Sequence, residues 1–465
     1  MGIITRVLFG LCATSIVLSP LASAAPPPNP MPAGLVFQNI SYLERNIDVP
    51  LDWAEPAGPQ ITVVARVHNP QAMDKPFFFF VGGGPAMESI NAYSAVAQGY
   101  GYDRHLSELS KSHRVVTFDP RGFGRSTPLD RHSVAMDPVL LHRLFSAPAV
   151  ARDLARMISV IAGTETPFYL AGHSFGGEPI AHYLAQGEGR RPRGVLFLSA
   201  TPAVVDTAAF FHERMRTQIA MNRKIQSENP DLFEKIIKAR VFIAEELGSW
   251  DDSRVLTSGL DMQFTDLPDW RGLDRQLDRI LAVEPGDRQG LERALHSHLP
   301  FSDLMVYALD WSFQHAVSQK DLVAGLPEDI TSQIEPWMLL EHRALMSAER
   351  QLLFPEAEQA FMRLCDEKLC GVTVPLDLDR LKEALRDIPA LMLLGVNDPM
   401  VPFQQMRDGF AAISTSAAHH FEAIDGPGAD HSSSYAPEAL SWAMEKMKEL
   451  EAAACTAALK PVPPL

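Results

Sequence analysis

Short apolar runs alternate with helical patterns through the first half of the chain. The runs predicted to be strands cover residues 77–81, 115–118, 168–171 and 195–198. Residues 149–161 carry apolar side chains at helical spacing with Arg152 and Asp153 on the other side, and a second helix is predicted after residue 174. Continuous apolar strands separated by helices predict an α/β fold with a mostly parallel sheet that is buried on both faces.

The pattern changes on either side of this region. Before it, β-rich runs at 46–53 and 61–67 flank the turn sequence Glu-Pro-Ala-Gly-Pro, which predicts a hairpin that enters the sheet. From about residue 201 to about 375, amphipathic helices are predicted instead, for example over 231–247 and 337–353. Strands return at 390–394 and 420–424, and a last helix over 437–454 is expected to pack on the sheet. We therefore predict one α/β domain interrupted by a mainly helical insertion, as in enzymes with a lid.

The N-terminus predicts export. Arg6 precedes an apolar run over 7–18, and the small residues Ala22-Ser23-Ala24 then form a cleavage site, which is the pattern of a secretory signal. An uncleaved interfacial anchor is the alternative. No later apolar stretch reaches about 20 residues, so no stable membrane span is expected after cleavage, and the mature protein is predicted to be periplasmic or secreted.

These patterns divide the chain into six parts. The predicted division is a signal peptide over 1–24, a proline-rich tether over 25–34, a first core part over 35–202, a helical cap insertion over 203–385, a second core part over 386–454, and a tail over 455–465.

Composition narrows the functional classes. Of 465 residues, 46% are hydrophobic and 21% charged, which is typical of a globular protein. The formal net charge of −16 argues against a nucleic-acid partner, because phosphate binding needs clustered Lys and Arg. A neutral or cationic substrate fits this charge, although the acidity could equally serve solubility alone. The sequence carries no signal for an oligomeric state.

Two cysteines lie close together in the exported part. In an oxidising compartment, Cys365 and Cys370 are expected to form a local disulfide, which leaves Cys455 unpaired. A metal site is the competing interpretation, but no second Cys or His pair with suitable spacing accompanies these residues. We therefore predict no metal.

A serine is predicted to be the nucleophile. Gly172-His-Ser-Phe-Gly176 matches the Gly-x-Ser-x-Gly elbow and lies between a predicted strand and a predicted helix, where this motif must be. Flanking glycines let the chain turn sharply, so that the Ser174 side chain stands above the sheet. A chance match is the alternative, because the pentapeptide alone is common.

A serine hydroxyl needs a base, and the base needs an orienting carboxylate, in the order Ser, Asp or Glu, His. Asp398 follows the predicted strand over 390–394, and His431 follows the last predicted strand through a glycine-rich loop. A plain Asp-Pro turn is the alternative for Asp398. The rivals of His431 are His419 and His420, which belong to a strand. Asp425 and Asp430 are weaker alternatives to Asp398, since Asp430 adjoins the histidine in sequence.

Donors for an oxyanion are also predicted. Gly82-Gly-Gly-Pro85 follows the first apolar strand, where a backbone without side chains can turn its amides toward a substrate carbonyl. We assign this role to the N–H groups of Gly84 and Phe175. A phosphate-binding loop is the rival, but no Lys-Ser or Lys-Thr follows.

These residues resemble the proline iminopeptidases (prolyl aminopeptidases) and tripeptidyl aminopeptidases, which have the α/β-hydrolase fold. The resemblance covers about 49–202 and 389–431. Its motifs are Val49-Pro-Leu-Asp-Trp53, Gly83-Gly-Pro85, Asp119-Pro-Arg-Gly-Phe-Gly-Arg-Ser-Thr-Pro128, Gly172-His-Ser-Phe-Gly-Gly177 and Gly395-Val-Asn-Asp398. The turn from Asp119, with Arg121 and Ser126, identifies kinship more than catalysis, and we expect its hydrogen bonds to be structural.

The sequence also departs from that family's pattern. Gly82 replaces a histidine before the two glycines, Ala86 replaces a glycine after the proline, and Ala429-Asp430 precedes His431. The first two changes border the acyl pocket, so they bear on the substrate and leave Ser174 and its partners in place.

The resemblance implies an exported serine aminopeptidase that releases an N-terminal residue, with proline expected, and that needs no cofactor. Carboxylates of the helical insertion would hold the substrate's amino terminus, and the candidates are Asp310, Glu335 and Glu341. Two alternatives are an esterase or lipase with the same three catalytic residues, and a non-catalytic binding protein that keeps the fold.

Overall fold

An eight-stranded, mostly parallel sheet organises the protein. The structure, a computed structural model, describes residues 42–83, 109–128, 138–203, 206–247, 270–295, 325–335, 337–340, 376–426, 429–431 and 433–458. The strands are β1 (Tyr42–Pro50), β2 (Gln60–His68), β3 (Phe77–Val81), β4 (Arg114–Phe118), β5 (Phe168–His173), β6 (Gly194–Leu198), β7 (Ala390–Gly395) and β8 (His419–Ile424). Their order is β1-β2-β4-β3-β5-β6-β7-β8, with β1, β2 and β4 paired antiparallel and the other pairs parallel.

Helices connect the strands and occupy the described part of the region between β6 and β7. Those of the core are α1 (Pro138–Phe145), α2 (Ala147–Ala162), α3 (Gly177–Gln186), α9 (Leu378–Leu385), α10 (Phe403–Ile413) and α11 (Pro437–Ala458). Those between β6 and the last core strands are α4 (Thr207–Glu228), α5 (Pro230–Leu247), α6 (Arg271–Leu281), α7 (Arg288–Leu295) and α8 (Glu328–Thr331). The described part of the region between β6 and α9 therefore contains helices and loops only.

Both faces of the sheet are buried. One face packs against α2, α3, α9 and α10, with Leu154 and Ile180 among the buried side chains. The other face packs against α11 through Leu440, Ala443 and Met447. This double covering explains why the central strands are apolar without alternation. The predicted α/β fold and the packing of the last helix on the sheet are confirmed.

Two sequence predictions need correction. The helix predicted over 337–353 is wrong where the structure describes it, because residues 337–340 are not helical. The Asn222 side chain bonds both the N–H and the carbonyl of Leu339, each at 2.8 Å, and Arg240 donates to the carbonyl of Met338. These side chains satisfy backbone groups that a helix would otherwise pair internally. Residues 341–353 lie outside the described ranges.

Asp153 is the second correction. The helical pattern placed it on the polar side of α2, whereas its side chain is 1% exposed. It forms an ion pair with Arg121, and it accepts a hydrogen bond from Trp53 Nε1 at 3.0 Å. Arg121 also donates to the carbonyls of Pro50, Leu51 and Leu144. The buried pair therefore joins the turn after β4 to α2 and to the end of β1.

Several predictions fall outside the described residues. They are the signal peptide, the tether, Gly84, Ala86, Asp310, Glu341 and the Cys365–Cys370 pair. Cys455, on α11, is exposed and free, as expected. Within the described ranges, none of the helices has the length and apolar character to span a membrane.

Candidate active site

Ser174 occupies a sharp turn between β5 and α3. Its backbone φ is +53°, a left-handed value that is uncommon for residues other than glycine. The turn needs close backbone approach, because a Cβ at Gly176 would lie 2.3 Å from the carbonyl oxygen of Val81 on β3. Residues 174–176 form a short 3-10 turn that leads into α3. This geometry raises the serine side chain above the carboxyl edge of the sheet, as in a nucleophile elbow.

The glycine-rich segment after β3 lies against this turn. A Cβ at Gly83 would be 2.9 Å from Ser174 Cβ and 3.0 Å from His173 Nδ1. Gly84, the predicted oxyanion donor, is the next residue along the chain but is outside the described residues. The other predicted donor, Phe175, is the second residue of the 3-10 turn, and its ring packs with Phe123 and Phe145. This turn leads into the N-terminus of α3, where the helix dipole favours negative charge.

Asp398 lies in the loop that follows β7 and is 1% exposed. Its Oδ1 accepts hydrogen bonds from the backbone N–H groups of Met400 and Val401, both at 2.8 Å. Its Oδ2 is 2.8 Å from His431 Nδ1. The two oxygens thus have separate tasks: one fixes the carboxylate in its own turn, and the other bonds the imidazole.

His431 is brought to Asp398 by a loop that crosses the end of β7. The crossing is close, since a Cβ at Gly395 would lie 2.5 Å from the carbonyl oxygens of Ala429 and Asp430. Asn397 N donates to the carbonyl of Ala429 at 3.0 Å. Because a carboxylate only accepts, the His431–Asp398 contact assigns the proton to Nδ1 and leaves Nε2 with a lone pair. An imidazole in this state can take a proton from a hydroxyl.

The rival histidines and carboxylates have other partners. His419 Nε2 bonds the carbonyls of Leu385 and Ile388, and His420 Nε2 bonds Glu422 at 2.9 Å. Asp430 Oδ1 accepts from Ser433 N at 3.0 Å, which stabilises the turn after His431. Asp425 is exposed and bonds the N–H of Gly426. None of these contacts is made with His431 Nδ1 or with Ser174.

Glu335 is the one candidate for binding a substrate amino terminus that the structure describes. Its carboxylate is 3.2 Å from Arg223 and accepts a hydrogen bond from Trp337 Nε1 at 2.8 Å. Its side chain is 42% exposed. Glu335 therefore already has a cationic partner on α4.

Two side chains of α4 that the sequence did not single out bind the loop that carries Asp398. Gln218, fully buried, donates from Nε2 to the carbonyl of Pro399 at 3.2 Å. Glu213 accepts from the N–H groups of Gln404 and Gln405 at 2.8 and 3.0 Å, at the N-terminus of α10. Long-range polar contacts of this kind leave no local sequence signal. They tie the first helix of the insertion to the residues that follow Asp398.

His173 is a second residue that motif reasoning passed over, because it occupies a variable position of the elbow. It is 4% exposed. Its Nε2 is 3.2 Å from the carbonyl oxygen of His431, and the two imidazole centroids are 4.8 Å apart with a 47° angle between the ring planes. His173 thus contacts the predicted base while being the chain neighbour of the predicted nucleophile.

Comparison with known proteins gives a family match and remote structural likenesses. The sequence model described as "Alpha/beta hydrolase family" matches residues 78–325. No protein with a curated description matches the chain. An esterase from Thermogutta terrifontis is 16% identical, with a TM-score of 0.39, over 88% of this chain and 99% of that one.

Two further solved structures are similarly remote. A putative lipase from Acinetobacter baumannii is 13% identical, with a TM-score of 0.40, over 88% of this chain and 92% of that one. A proline iminopeptidase-related protein from Thermus thermophilus is 16% identical, with a TM-score of 0.36, over 88% of this chain and 99% of that one. Likeness at this level gives no information on the substrate of this chain.

Proposed function

This chain belongs to the alpha/beta hydrolase family, and we propose that it is a serine hydrolase that forms an acyl-enzyme at Ser174. The observation that carries the proposal is the buried contact between Asp398 Oδ2 and His431 Nδ1, combined with the strained turn that raises Ser174. A carboxylate and an imidazole in this arrangement supply a base for a hydroxyl at the same edge of the sheet.

In the proposed reaction, Ser174 Oγ attacks the substrate carbonyl while its proton passes to His431 Nε2. The N–H groups of Gly84 and Phe175 stabilise the tetrahedral oxyanion. The intermediate collapses to an acyl-serine, and the leaving amine or alcohol takes the proton from His431. Water then attacks the acyl-serine with His431 again acting as base, which releases the acid and restores Ser174. Asp398 keeps the proton on Nδ1 and stabilises the imidazolium in both steps.

For the substrate we propose a peptide with a free amino terminus, from which the enzyme releases the first residue, with proline expected. Support comes from the resemblance of residues 119–128 and 172–177 to the proline iminopeptidases. An ester substrate is the second candidate. The pairing of Glu335 with Arg223 favours it, because this candidate for binding the ammonium already has a cationic partner.

The test of catalysis compares kcat of the purified mature protein with that of three variants. Ser174→Ala and His431→Ala are expected to lower kcat by at least about 10⁴-fold. His420→Ala is the matched control and is expected to keep the activity, because His420 bonds Glu422 on β8. Full activity of Ser174→Ala would refute the proposal.

Prolyl anilides and p-nitrophenyl esters of short acids separate the two substrate classes. If the protein is an aminopeptidase, we expect a higher kcat/KM on prolyl anilides than on the esters. Acylation of the substrate's amino group should then abolish turnover. Turnover of the esters alone would establish the esterase and overturn the aminopeptidase.

We further propose that residues 1–24 direct export and are removed. Expression with these residues should deliver a mature protein that begins at Ala25 to the periplasm or medium. N-terminal sequencing of the exported fraction checks the cleavage site, and retention of the intact chain in the cytoplasm would contradict it.

A further inference from the structure

His173 bridges the two halves of the proposed catalytic machinery. In the sequence it directly precedes Ser174, and in space its ring lies 4.8 Å from that of His431. Its Nε2 is 3.2 Å from the backbone carbonyl of His431. A carbonyl oxygen only accepts a hydrogen bond, so His173 Nε2 carries a proton and is the donor. One hydrogen bond therefore links the strand end that carries the nucleophile to the loop that carries the base.

Two other contacts of the His431 loop fix different atoms. The imidazole is held at Nδ1 by Asp398, and the backbone is fixed at Ala429 through Asn397. Neither contact fixes the backbone of His431 itself with respect to Ser174. The bond from His173 does so at one atom, and the ring of His173 supports one side of the His431 ring.

Besides its hydrogen bond and its ring contact with His431, His173 also lies close to the glycine-rich segment after β3. A Cβ at Gly83 would lie 3.0 Å from His173 Nδ1, so the Gly83 backbone lies next to the imidazole on its Nδ1 side. His173 is 4% exposed, and solvent therefore does not compete with these contacts. The ring thus lies near Gly83, the turn at Ser174 and the loop that carries His431.

We propose that His173 is a positioning residue that sets the distance and angle between His431 and Ser174. This inference rests on the proposed serine hydrolase function. Proton transfer is sensitive to such geometry, since a displacement of about 1 Å can cost about 10²-fold in rate. The role needs a donor at the position of Nε2 and does not need an imidazole that titrates.

The test uses variants that differ at that donor. In His173→Gln the amide nitrogen reaches the position of Nε2 and keeps the donor. In His173→Met a side chain of similar length lacks it, and in His173→Asn the amide is too short to reach the carbonyl. We expect His173→Gln to retain kcat within about threefold, and the other two to lose about 10- to 100-fold in kcat with KM nearly unchanged.

Two further readouts separate positioning from folding. The rate at which a fluorophosphonate inactivates Ser174 should fall in parallel with kcat, while the melting temperature of His173→Asn stays close to that of His173→Gln. Equal kcat for the Gln, Met and Asn variants, or a change confined to KM, would overturn the inference. If Met does not fold, the Gln and Asn pair still decides. Ser174→Ala is measured alongside: if it is inactive while His173→Asn is fully active, only this inference fails.

Discussion

Replacing Asp398 by Asn tests whether Asp398 holds the proton of His431 on Nδ1. Oδ1 of Asp398 accepts two backbone N–H groups at 2.8 Å, and Oδ2 faces His431 Nδ1 at 2.8 Å. An asparagine must keep its oxygen toward the two N–H donors. The flipped amide would oppose donors to donors in a buried turn, at a cost of about 1–3 kcal/mol for each unsatisfied group. Its NH₂ group therefore faces Nδ1 and requires that nitrogen to accept.

The imidazole then carries its proton on Nε2 and cannot take one from Ser174. Reversal of the tautomer in Ser-His-Asp sites costs about 10⁴-fold in kcat, equivalent to about 5 kcal/mol of barrier. The assay is kcat on the best substrate of the panel, with the melting temperature measured in parallel. Asp425→Asn is the control, because that carboxylate is exposed and bonds the N–H of Gly426 in its own turn. If Asp398→Asn keeps more than a tenth of kcat while Asp425→Asn is normal, Asp398 does not set the tautomer of His431.

Three other predictions concern stability and the elbow. Asp153→Ala leaves the Arg121 guanidinium buried without its carboxylate, so the free energy of unfolding should fall by about 3–5 kcal/mol in a denaturant titration, and an unchanged midpoint would contradict this. Gly176→Ala puts a methyl group 2.3 Å from the carbonyl oxygen of Val81. We therefore expect the free energy of unfolding to fall by about 1–3 kcal/mol and kcat to fall as well. Wild-type values for both would show that the turn can relax. Burial lowers the pKa of His113 to about 4, below its unfolded value near 6.5. The folded protein therefore favours the neutral imidazole, and this contribution to stability is fully present above pH 6.5. It is lost as the pH falls toward 4, because the unfolded chain then binds the proton more readily. His113→Phe should therefore reduce the acid-induced loss of melting temperature by an amount equivalent to about 2 kcal/mol at pH 4.5, and an unaltered pH dependence would count against it.

The sheet was predictable because its central strands are buried on both faces. Phe77–Val81 and Gly194–Leu198 are apolar throughout, and the strands predicted at 77–81 and 195–198 lie within one residue of the observed ones. The elbow was predictable for a related reason: the motif and the strand-to-helix transition coincide at Ser174. Both signals are local in sequence, and both report on backbone geometry.

Long-range polar contacts were not predictable. Asp153 looked like a surface residue of α2, because nothing near it in sequence reveals Arg121. The segment 337–340 has a helical pattern, yet Asn222, 117 positions away, bonds Leu339 through both of its backbone polar groups. The bond of His173 to the His431 carbonyl spans 258 positions. Such pairings depend on the fold that brings the partners together, and no periodicity records them.

Covalent labelling shows which serine of the protein is the nucleophile. The mature protein is treated with a fluorophosphonate, and its mass and proteolytic peptides are measured. We expect one adduct per chain, on the peptide that contains Ser174, with labelling slowed by Asp398→Asn and abolished by Ser174→Ala. An active protein that stays unlabelled, or that carries the adduct on another serine, would contradict it.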